Sequence, residues 1–346
     1  MKKLTIALSV LSVLILCART NAQTTKSQYE IVRRIHLPET AWWDYPSLDA
    51  ATGRLFVSRG TMVQVVNVKT GKLVATIPNT EGVHGIALAE DLNKGFISDG
   101  ADSSVTVFNL KTLQVIGTIQ VTGRDPDAIL YDPFTHRVFT CNGRSGNSTV
   151  IDARTDKVIG TIKLSGSPEF SATDGQGRIY INIEDNRQVD EINPRTMKIE
   201  NVWPLAPGEH PSGLAIDPKR HILFSTCHNK LMVVMNALNG KVMTTLPIGE
   251  RVDGAAFDPV LRRAFSSNGQ GTLTVVQEEG KDKFTVLEQF PTQLGARTIT
   301  IDVKTHHLFL PTAEFNPPAA PTAEHPHPRP TMKPNSFTVL EVAPLK

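Results

Sequence analysis

The sequence predicts an all-β fold built from seven repeated units, and three observations support this prediction. An aromatic residue within a short apolar run recurs every 40 to 44 residues, about the length of one four-stranded propeller blade. In five units an Asp stands seven residues earlier and is expected to start a tight turn. Each unit also divides into short apolar runs separated by turn residues, as in an antiparallel meander. The recurring aromatics are Phe56, Phe96, Phe139, Tyr180, Phe224, Phe265 and Phe309.

The unit from His210 to Gly249 shows the pattern most completely. In chain order it contains the apolar run 213–216, the Asp217-Pro218 turn, a run centred on Phe224, the run 231–235, the Asn239-Gly240 turn and the run 242–246. Four short strands separated by turns make a four-stranded meander, and the same unit recurs along almost the whole chain.

Seven such units are expected to form a closed ring, because a lone meander leaves both faces and both edges uncovered. Radial packing covers those faces and gives a seven-bladed β-propeller of four-stranded antiparallel blades. The last unit lacks a fourth strand, whereas Tyr29 to Leu37 has strand character and no unit of its own. We therefore predict that this N-terminal strand closes the ring by pairing with Phe337 to Val342.

Residues 1–22 have the pattern of a secretory signal peptide: Lys2 and Lys3, an apolar stretch, and small residues at 20–22. A membrane anchor is the alternative, but the apolar run is too short to span a bilayer. The sequence thus predicts a secreted or periplasmic protein, with residues 23–346 forming one propeller domain and no transmembrane segment after cleavage.

The charge of the cleaved chain is close to zero. Removing residues 1–22 takes away Lys2, Lys3 and Arg19 with no acid, and changes the formal charge from +2 to −1. A near-neutral surface gives no general attraction to nucleic acid or to anionic membranes. We therefore expect no nucleic-acid partner, and we expect a monomer.

A Pro-rich insertion, at about residues 314–335, interrupts the connection between the second and third strands of the seventh unit. Its proline content predicts an extended, polyproline-like loop over the face of the propeller where ligands bind. His325 and His327 have the alternation of metal ligands in an extended chain, and the alternative is a solvated linker.

The repeated motif resembles that of the YVTN/YncE-like β-propeller family. The apolar strand, the Asp-Pro turn, the aromatic-centred strand, Val-x-Val-x-Asn/Asp and Thr-Gly-Lys appear in this order, as in residues 132–162 and 217–246. The resemblance covers about residues 44–342 and implies a secreted or surface-located propeller of a family whose functions are mostly unassigned. Related seven-bladed propellers include lactonases and an antibiotic lyase with metal-dependent chemistry in the channel, but no motif here transfers a catalytic residue.

One position in each unit predicts a cluster of polar side chains at the channel mouth. Five residues before the turn position, the first strand of each unit enters the channel, where loops converge on a concavity. We call this set the mouth ring; its members are Asp44, His84, Asp127, Glu169, Ser212, Asp253 and Arg297. Oxygen-rich clusters suit Ca²⁺ or Mg²⁺, and the added His admits Zn²⁺ or Mn²⁺ as the less favoured choice. The alternative is that these residues cap loops or line a wet channel.

The aromatic residues beside Asp44 suggest a surface for a flat ligand. Trp42, Trp43 and Tyr45 could stack on a sugar or similar group if exposed. The alternative is that they fill the joint between the first and last blades. His228 and Arg59 fall in loops on the same face and are further residues within reach of a ligand.

Two functions follow from these observations. The first is a scaffold that binds a small-molecule or protein ligand at the channel mouth. The second is a metal-assisted hydrolase or lyase, similar to a lactonase, that uses Asp44, His84, Asp127, Glu169 and Asp253 as candidate metal ligands. No nucleophile elbow, phosphate-binding Gly loop or Cys-rich metal motif supports another enzyme class. The two functions differ in geometry, because metal chemistry needs three or more ring side chains to converge on one point.

Overall fold

The computed structural model describes residues 27–280, 282–318, 322 and 330–345. Strand β1 (Tyr29–His36) comes first. Blade 1 then contains β2 (Trp43–Asp49), β3 (Arg54–Arg59), β4 (Met62–Asn67) and β5 (Lys72–Pro78). Blade 2 contains β6 (Val83–Ala89), β7 (Lys94–Asp99), β8 (Ser104–Asn109) and β9 (Val115–Gln120). Blade 3 contains β10 (Pro126–Asp132), β11 (Arg137–Asn142), β12 (Asn147–Asp152) and β13 (Lys157–Lys163).

The second half of the chain repeats this organisation. Blade 4 contains β14 (Pro168–Thr173), β15 (Ile179–Ile183), β16 (Gln188–Asn193) and β17 (Lys198–Pro204). Blade 5 contains β18 (Pro211–Asp217), β19 (Ile222–Cys227), β20 (Leu231–Asn236) and β21 (Val242–Pro247). Blade 6 contains β22 (Val252–Asp258), β23 (Arg263–Asn268), β24 (Thr272–Gly280) and β25 (Lys283–Pro291). Blade 7 contains β26 (Thr300–Asp302), β27 (His307–Thr312) and β28 (Thr338–Pro344), together with β1. Two short 3₁₀ helices, Glu90–Leu92 and Gly143–Ser145, lie in connections of blades 2 and 3.

The architecture is a seven-bladed β-propeller, as predicted. In each of the seven sheets the strands pair in a four-stranded antiparallel order, and the first strand of each blade lies innermost. The innermost strands of neighbouring blades contact one another around the ring. The second strand of every blade carries its recurring aromatic near the centre, and all seven of these side chains are buried.

The core consists of apolar clusters between neighbouring blades. One cluster lies in each of the seven joints, for example Phe224 of blade 5 with Phe257 of blade 6, whose rings stack at 5.3 Å. Each blade therefore buries both faces against its neighbours, which a single meander could not do.

The repeated Asp shapes the turn at the far end of each innermost strand. Asp49 accepts backbone N–H bonds from Ala51 and Thr52, each at 3.1 Å, and a bond from the Thr52 hydroxyl at 2.5 Å. Asp217 and Asp258 accept the equivalent pair of backbone bonds in their own turns. The predicted role of this Asp in bonding backbone amides is confirmed.

The N-terminal strand closes the ring as predicted. Strand β1 pairs antiparallel with β28, from Tyr29 opposite Pro344 to His36 opposite Thr338. The Leu37 N–H continues the ladder to the carbonyl of Phe337 at 3.2 Å. The first and last parts of the chain therefore share blade 7.

The Pro-rich insertion differs from its prediction at its base. Phe315 and Met332 form an antiparallel bridge, and the Asn316 N–H donates to the Thr331 carbonyl at 2.8 Å. Both side chains pack on the cluster between blades 7 and 1, so apolar burial orders the ends of the loop. His325, His327 and the predicted signal peptide at 1–22 lie outside the described residues. Among the described residues, no helix has the length and apolarity needed to cross a bilayer.

Candidate functional site

Six of the seven mouth-ring residues lie at the second position of the innermost strand of their blade, where a β-bulge shapes the strand, and Arg297 precedes β26. In blade 1 the register shifts between Trp43 and Pro46, and the same shift occurs between Val83 and Ile86 in blade 2. Blades 3 to 6 repeat the irregularity at the same place. A bulge bends the strand and redirects one side chain. The bulges thereby give six ring members a shared position around the channel.

Buried polar side chains on the second strands anchor the backbone of the ring. Ser98 donates to the Asp127 carbonyl at 2.5 Å, and Ser267 donates to the Arg297 carbonyl at 2.5 Å. Ser58 accepts the Asp44 N–H at 2.8 Å. Sequence reasoning missed these anchors, although a polar residue two positions after the recurring aromatic could have revealed them. The set is Ser58, Ser98, Asn182, Thr226 and Ser267.

Five members of the ring form a continuous chain of polar contacts. The Ser212 hydroxyl donates to Asp253 Oδ1 at 2.9 Å, and Arg297 Nε donates to Asp253 Oδ2 at 2.5 Å. Arg297 Nη2 lies 3.3 Å from Asp44 Oδ1, and His84 Nδ1 lies 2.7 Å from Asp44 Oδ2. Burial opposes the charge of Arg297, but Asp253 and Asp44 raise the pKa of its guanidinium above the ordinary value. Asp253 is therefore paired with Arg297, whereas Asp44 contacts both Arg297 and His84.

Two carboxylates of the ring lack such partners. Asp127 Oδ1 is buried without a hydrogen bond, and His84 Nδ1, at 3.6 Å from it, is directed to Asp44. Burial, followed by the charge of Asp44, raises the pKa of Asp127 to about 7. Glu169 has no hydrogen bond or ion pair with any residue that the structure describes, and burial with the charges of Asp127 and Asp253 raises its pKa to about 9. An added positive charge would stabilise both carboxylates.

Three ring side chains come close enough to share one metal ion. Asp44, His84 and Asp127 each offer a ligand atom, and these atoms lie within 4.8 Å of one another. Burial lowers the pKa of His84, but its bond to Asp44 and the charges of Asp127, Asp44 and Asp125 raise it overall to about 9. Neutral imidazole binds metals, so a metal ion would compete with the His84 proton. Glu169 and Asp253 are not part of this three-residue group.

An aromatic pair lies across the channel next to the ring. Tyr45 of blade 1 meets Phe170 of blade 4 edge to face, with ring centroids 5.0 Å apart. Because these blades are not neighbours, the contact spans the channel. We call the pair the aromatic floor. Burial, together with the charges of the four ring carboxylates, raises the pKa of the Tyr45 hydroxyl well above its ordinary value. The aromatic floor therefore follows Asp44 and Glu169 directly in the chain and lies beside the ring.

The tryptophans separate into two roles. The Trp43 side chain is 4 % exposed and packs on Phe337 at 5.3 Å between ring centroids, so it fills the joint between blades 1 and 7. Trp42 is 52 % exposed and stacks on Trp43 at 6.2 Å. The expectation that Arg59 reaches a ligand is wrong, because its guanidinium is fully buried over the Phe337 ring at 3.4 Å.

Two cavities open on the mouth and meet at Arg297. The first has a volume of about 470 Å³ and is lined by Trp42, Trp43, Asp44, Gly60, Gly82, Val83, His84 and Arg297. The second has a volume of about 550 Å³ and is lined by His228, Lys230, Glu250, Arg251, Val252, Asp253 and Arg297. The mouth can thus hold a small molecule, as ligand sites in concave, partly apolar clefts do.

Comparisons with known proteins show the fold alone. No protein-family model matches the chain, and a search of curated proteins finds no match. Among solved structures, the hydrazine synthase of Kuenenia stuttgartiensis matches with a TM-score of 0.69 and 16 % identity, covering 80 % of this chain and 94 % of that chain. A chain of the mitotic checkpoint complex matches with a TM-score of 0.75 and 13 % identity, covering 99 % and 100 %. The protein is a seven-bladed β-propeller with charged residues at its channel mouth.

Proposed function

We propose that the protein is a binding scaffold whose channel mouth takes a positively charged ligand or a ligand held through a divalent cation. The observation that carries this proposal is the pair of carboxylates without partners, Asp127 and Glu169, whose raised pKa values follow from burial and mutual repulsion. A cation offsets this repulsion, and the aromatic floor and Trp42 supply apolar contact. Binding proteins of this kind need concavity and charge but no reacting group.

The repeated motif and the pattern of residues 1–22 support a secreted or periplasmic location for this scaffold. The motif resembles that of YVTN/YncE-like propellers, which implies a secreted or periplasmic protein, and residues 1–22 have the pattern of a signal peptide. We expect a monomer with a small-molecule or protein ligand and no nucleic-acid partner, because the cleaved chain is close to neutral.

Proton release tests the cation site. At pH 7 the raised pKa values leave Glu169 and His84 largely protonated and Asp127 about half protonated, so a bound cation must expel protons. After treatment with a chelator, we expect Ca²⁺, Mg²⁺, Mn²⁺ or Zn²⁺, or an organic diamine, to raise the melting temperature. Calorimetric titration in two buffers of different ionisation enthalpy measures the released protons.

Variants test whether the thermal shift and the proton release depend on Asp127 and Glu169. Asp127→Asn with Glu169→Gln is expected to abolish both the thermal shift and the proton release. Glu30→Gln is the matched control, because Glu30 is an exposed acid on strand β1. A wild-type protein that shows no thermal shift with any of these cations would contradict the proposal, and so would a shift that persists in the double variant.

A metal-assisted hydrolase or lyase is the second candidate function. It is favoured by the convergence of Asp44, His84 and Asp127 within 4.8 Å, which leaves room for further ligands. A divalent cation held there would polarise a carbonyl group, and Glu169, with a pKa of about 9, could donate a proton. Lactone hydrolysis by the metal-loaded protein, lost in His84→Gln but retained in Glu30→Gln, would support it. Metal binding without turnover of any lactone would favour the scaffold.

A further inference from the structure

The second cavity at the mouth, between blades 5 and 6, differs in charge from the first. Four of its seven lining residues, His228, Lys230, Arg251 and Arg297, have basic side chains, and only Glu250 and Asp253 are acidic. We call it the basic cavity. The first cavity holds Asp44 and His84 and adjoins the unpaired carboxylates. The two halves of the mouth therefore differ in their charged groups without partners: the Asp127 carboxylate adjoins the first cavity, and Arg251 lines the second.

Both acids of the basic cavity are already engaged. Glu250 pairs with Lys230 at 2.6 Å, and Asp253 accepts bonds from Ser212 and Arg297. The Arg251 side chain has no hydrogen bond or ion pair with any residue that the structure describes, and it is exposed. The cavity therefore has an unmatched positive charge. The His228 ring stacks against His210, with ring centroids 6.4 Å apart.

A glycine brings the two arginines of this cavity together. A Cβ atom on Gly269 would lie 2.9 Å from the Arg251 carbonyl, 3.1 Å from the Arg251 Cβ and 3.5 Å from the Arg297 Cβ. The Gly269 N–H also donates to the Arg251 carbonyl at 2.9 Å. A side chain at this position would press on Arg251 and reach the Arg297 Cβ, so the glycine permits the close approach of these two residues.

We propose that the basic cavity is an oxyanion subsite and that the ligand of this mouth is bipolar, with a carboxylate or phosphate at one end and a cationic group at the other. Guanidinium groups bind planar or tetrahedral oxyanions through paired N–H bonds, and the Arg251 guanidinium has no acidic partner among the residues that the structure describes. Arg297 lines both cavities, so the two subsites adjoin. The bipolar ligand rests on the proposed cation site, whereas the oxyanion subsite can be tested by itself.

Inorganic phosphate and succinate are the probes for the oxyanion subsite. At ionic strength matched with sodium chloride, each is expected to raise the melting temperature of the wild-type protein. The double variant Lys230→Gln, Arg251→Gln removes two charge-assisted contacts and is expected to weaken binding about tenfold or more. Lys241→Gln is the matched control, because it removes one exposed positive charge from the turn at the opposite end of blade 5.

The outcomes separate this proposal from the cation site. If the oxyanion subsite exists, Asp127→Asn with Glu169→Gln keeps the phosphate shift and loses the cation shift, while the Lys230 and Arg251 double variant shows the reverse. An absent wild-type shift with both anions, or a shift that survives the double variant, overturns the oxyanion subsite. A response to phosphate alone assigns a phosphate end to the ligand, and a response to succinate alone assigns a carboxylate end.

A series of ω-amino carboxylates of increasing chain length tests the bipolar ligand. At least one member is expected to bind more tightly than the amine or the carboxylate of the same length, because linked groups bind cooperatively when their spacing fits. That gain should disappear in either double variant. If every member binds no better than its singly charged counterparts, the bipolar ligand is wrong even where phosphate binding persists.

Discussion

The two ends of one innermost strand hold the same residue type under opposite electrostatic conditions. Asp49 and Asp44 lie five residues apart on β2. Burial would raise the pKa of Asp49, but bonds from Thr52 and Arg54 lower it overall. At the mouth, burial raises the pKa of Asp44 despite its bond to His84. The turn carboxylate is satisfied by residues next to it in the chain, whereas the mouth carboxylate depends on other blades.

This contrast explains which positions repeat. Five units carry Asp at the turn, since every blade needs the same local backbone bonds there. At the mouth position, seven units carry five residue types, because neighbouring blades supply different partners. We refer to the turns, the apolar clusters and the closing strand together as the framework.

The framework is expected to be most sensitive at the closing strand. Deleting residues 23–38 removes Ile35 and Leu37, which are almost fully buried and contribute about 1.5–3 kcal/mol each, together with the ladder to β28. We expect the melting temperature to fall by more than about 10 °C and unfolding to lose cooperativity. Calorimetry measures both, with deletion of residues 23–26 as the control. Equal melting of the two truncated proteins would contradict the closure.

Replacing a turn carboxylate should have the next largest effect. Asp49→Ala removes four hydrogen bonds, from Ala51, Thr52 and Arg54, and should destabilise the protein by about 2–4 kcal/mol. Chemical denaturation measures this free energy. Asp49→Asn keeps an acceptor for the turn and should recover part of the loss. Equal loss in the two variants would show that charge, rather than turn bonding, is the important property.

Replacing a mouth-ring carboxylate should leave the stability of the protein unchanged or increase it. Asp127→Asn removes a buried carboxylate without a hydrogen bond on Oδ1 and relieves repulsion from Asp44. We expect the melting temperature at pH 8 to be unchanged or higher than in wild type, while the response to divalent cations is lost. A loss of stability as large as that of Asp49→Ala would mean that Asp127 belongs to the framework.

The pH dependence of stability should separate the two ends of the innermost strand. The pKa of Asp49 is lowered in the folded state, so its contribution is present above about pH 4 and lost as the pH falls further. Glu169 binds a proton more tightly when folded, so stability falls as the pH rises from its ordinary pKa of 4.5 to about 9.

Two variants test which carboxylate causes the loss of stability on the acid side and on the alkaline side. Glu169→Gln should flatten the decline of melting temperature on the alkaline side and leave the acid side unchanged, whereas Asp49→Asn should flatten only the acid side. Melting curves in a series of buffers at constant ionic strength measure this. If Glu169→Gln leaves the alkaline decline unchanged, the carboxylate titrates at an ordinary pKa in the folded protein.

Much of the propeller could be predicted from periodicity. The spacing of the aromatics, the turn Asp and the missing fourth strand of the last unit each report a local requirement that recurs in every blade, and the structure confirms all three. The positions of the mouth ring follow from the same spacing. In contrast, Trp43 and Arg59 resemble residues of an open mouth in the sequence, but both are buried beside Phe337 because the last blade closes over them.

By itself, the sequence determined the all-β repeat, the seven blades, the closing strand and the set of charged residues at one end of the channel. Only the tertiary structure decided that His84 lies close to Asp44 and Asp127. It also decided that Arg297 pairs with Asp253 and that Tyr45 contacts Phe170 across the channel. The physical reason is distance along the chain. A strand or turn depends on residues a few positions apart, whereas these contacts depend on ring diameter and side-chain orientation, which appear only once all seven blades have closed.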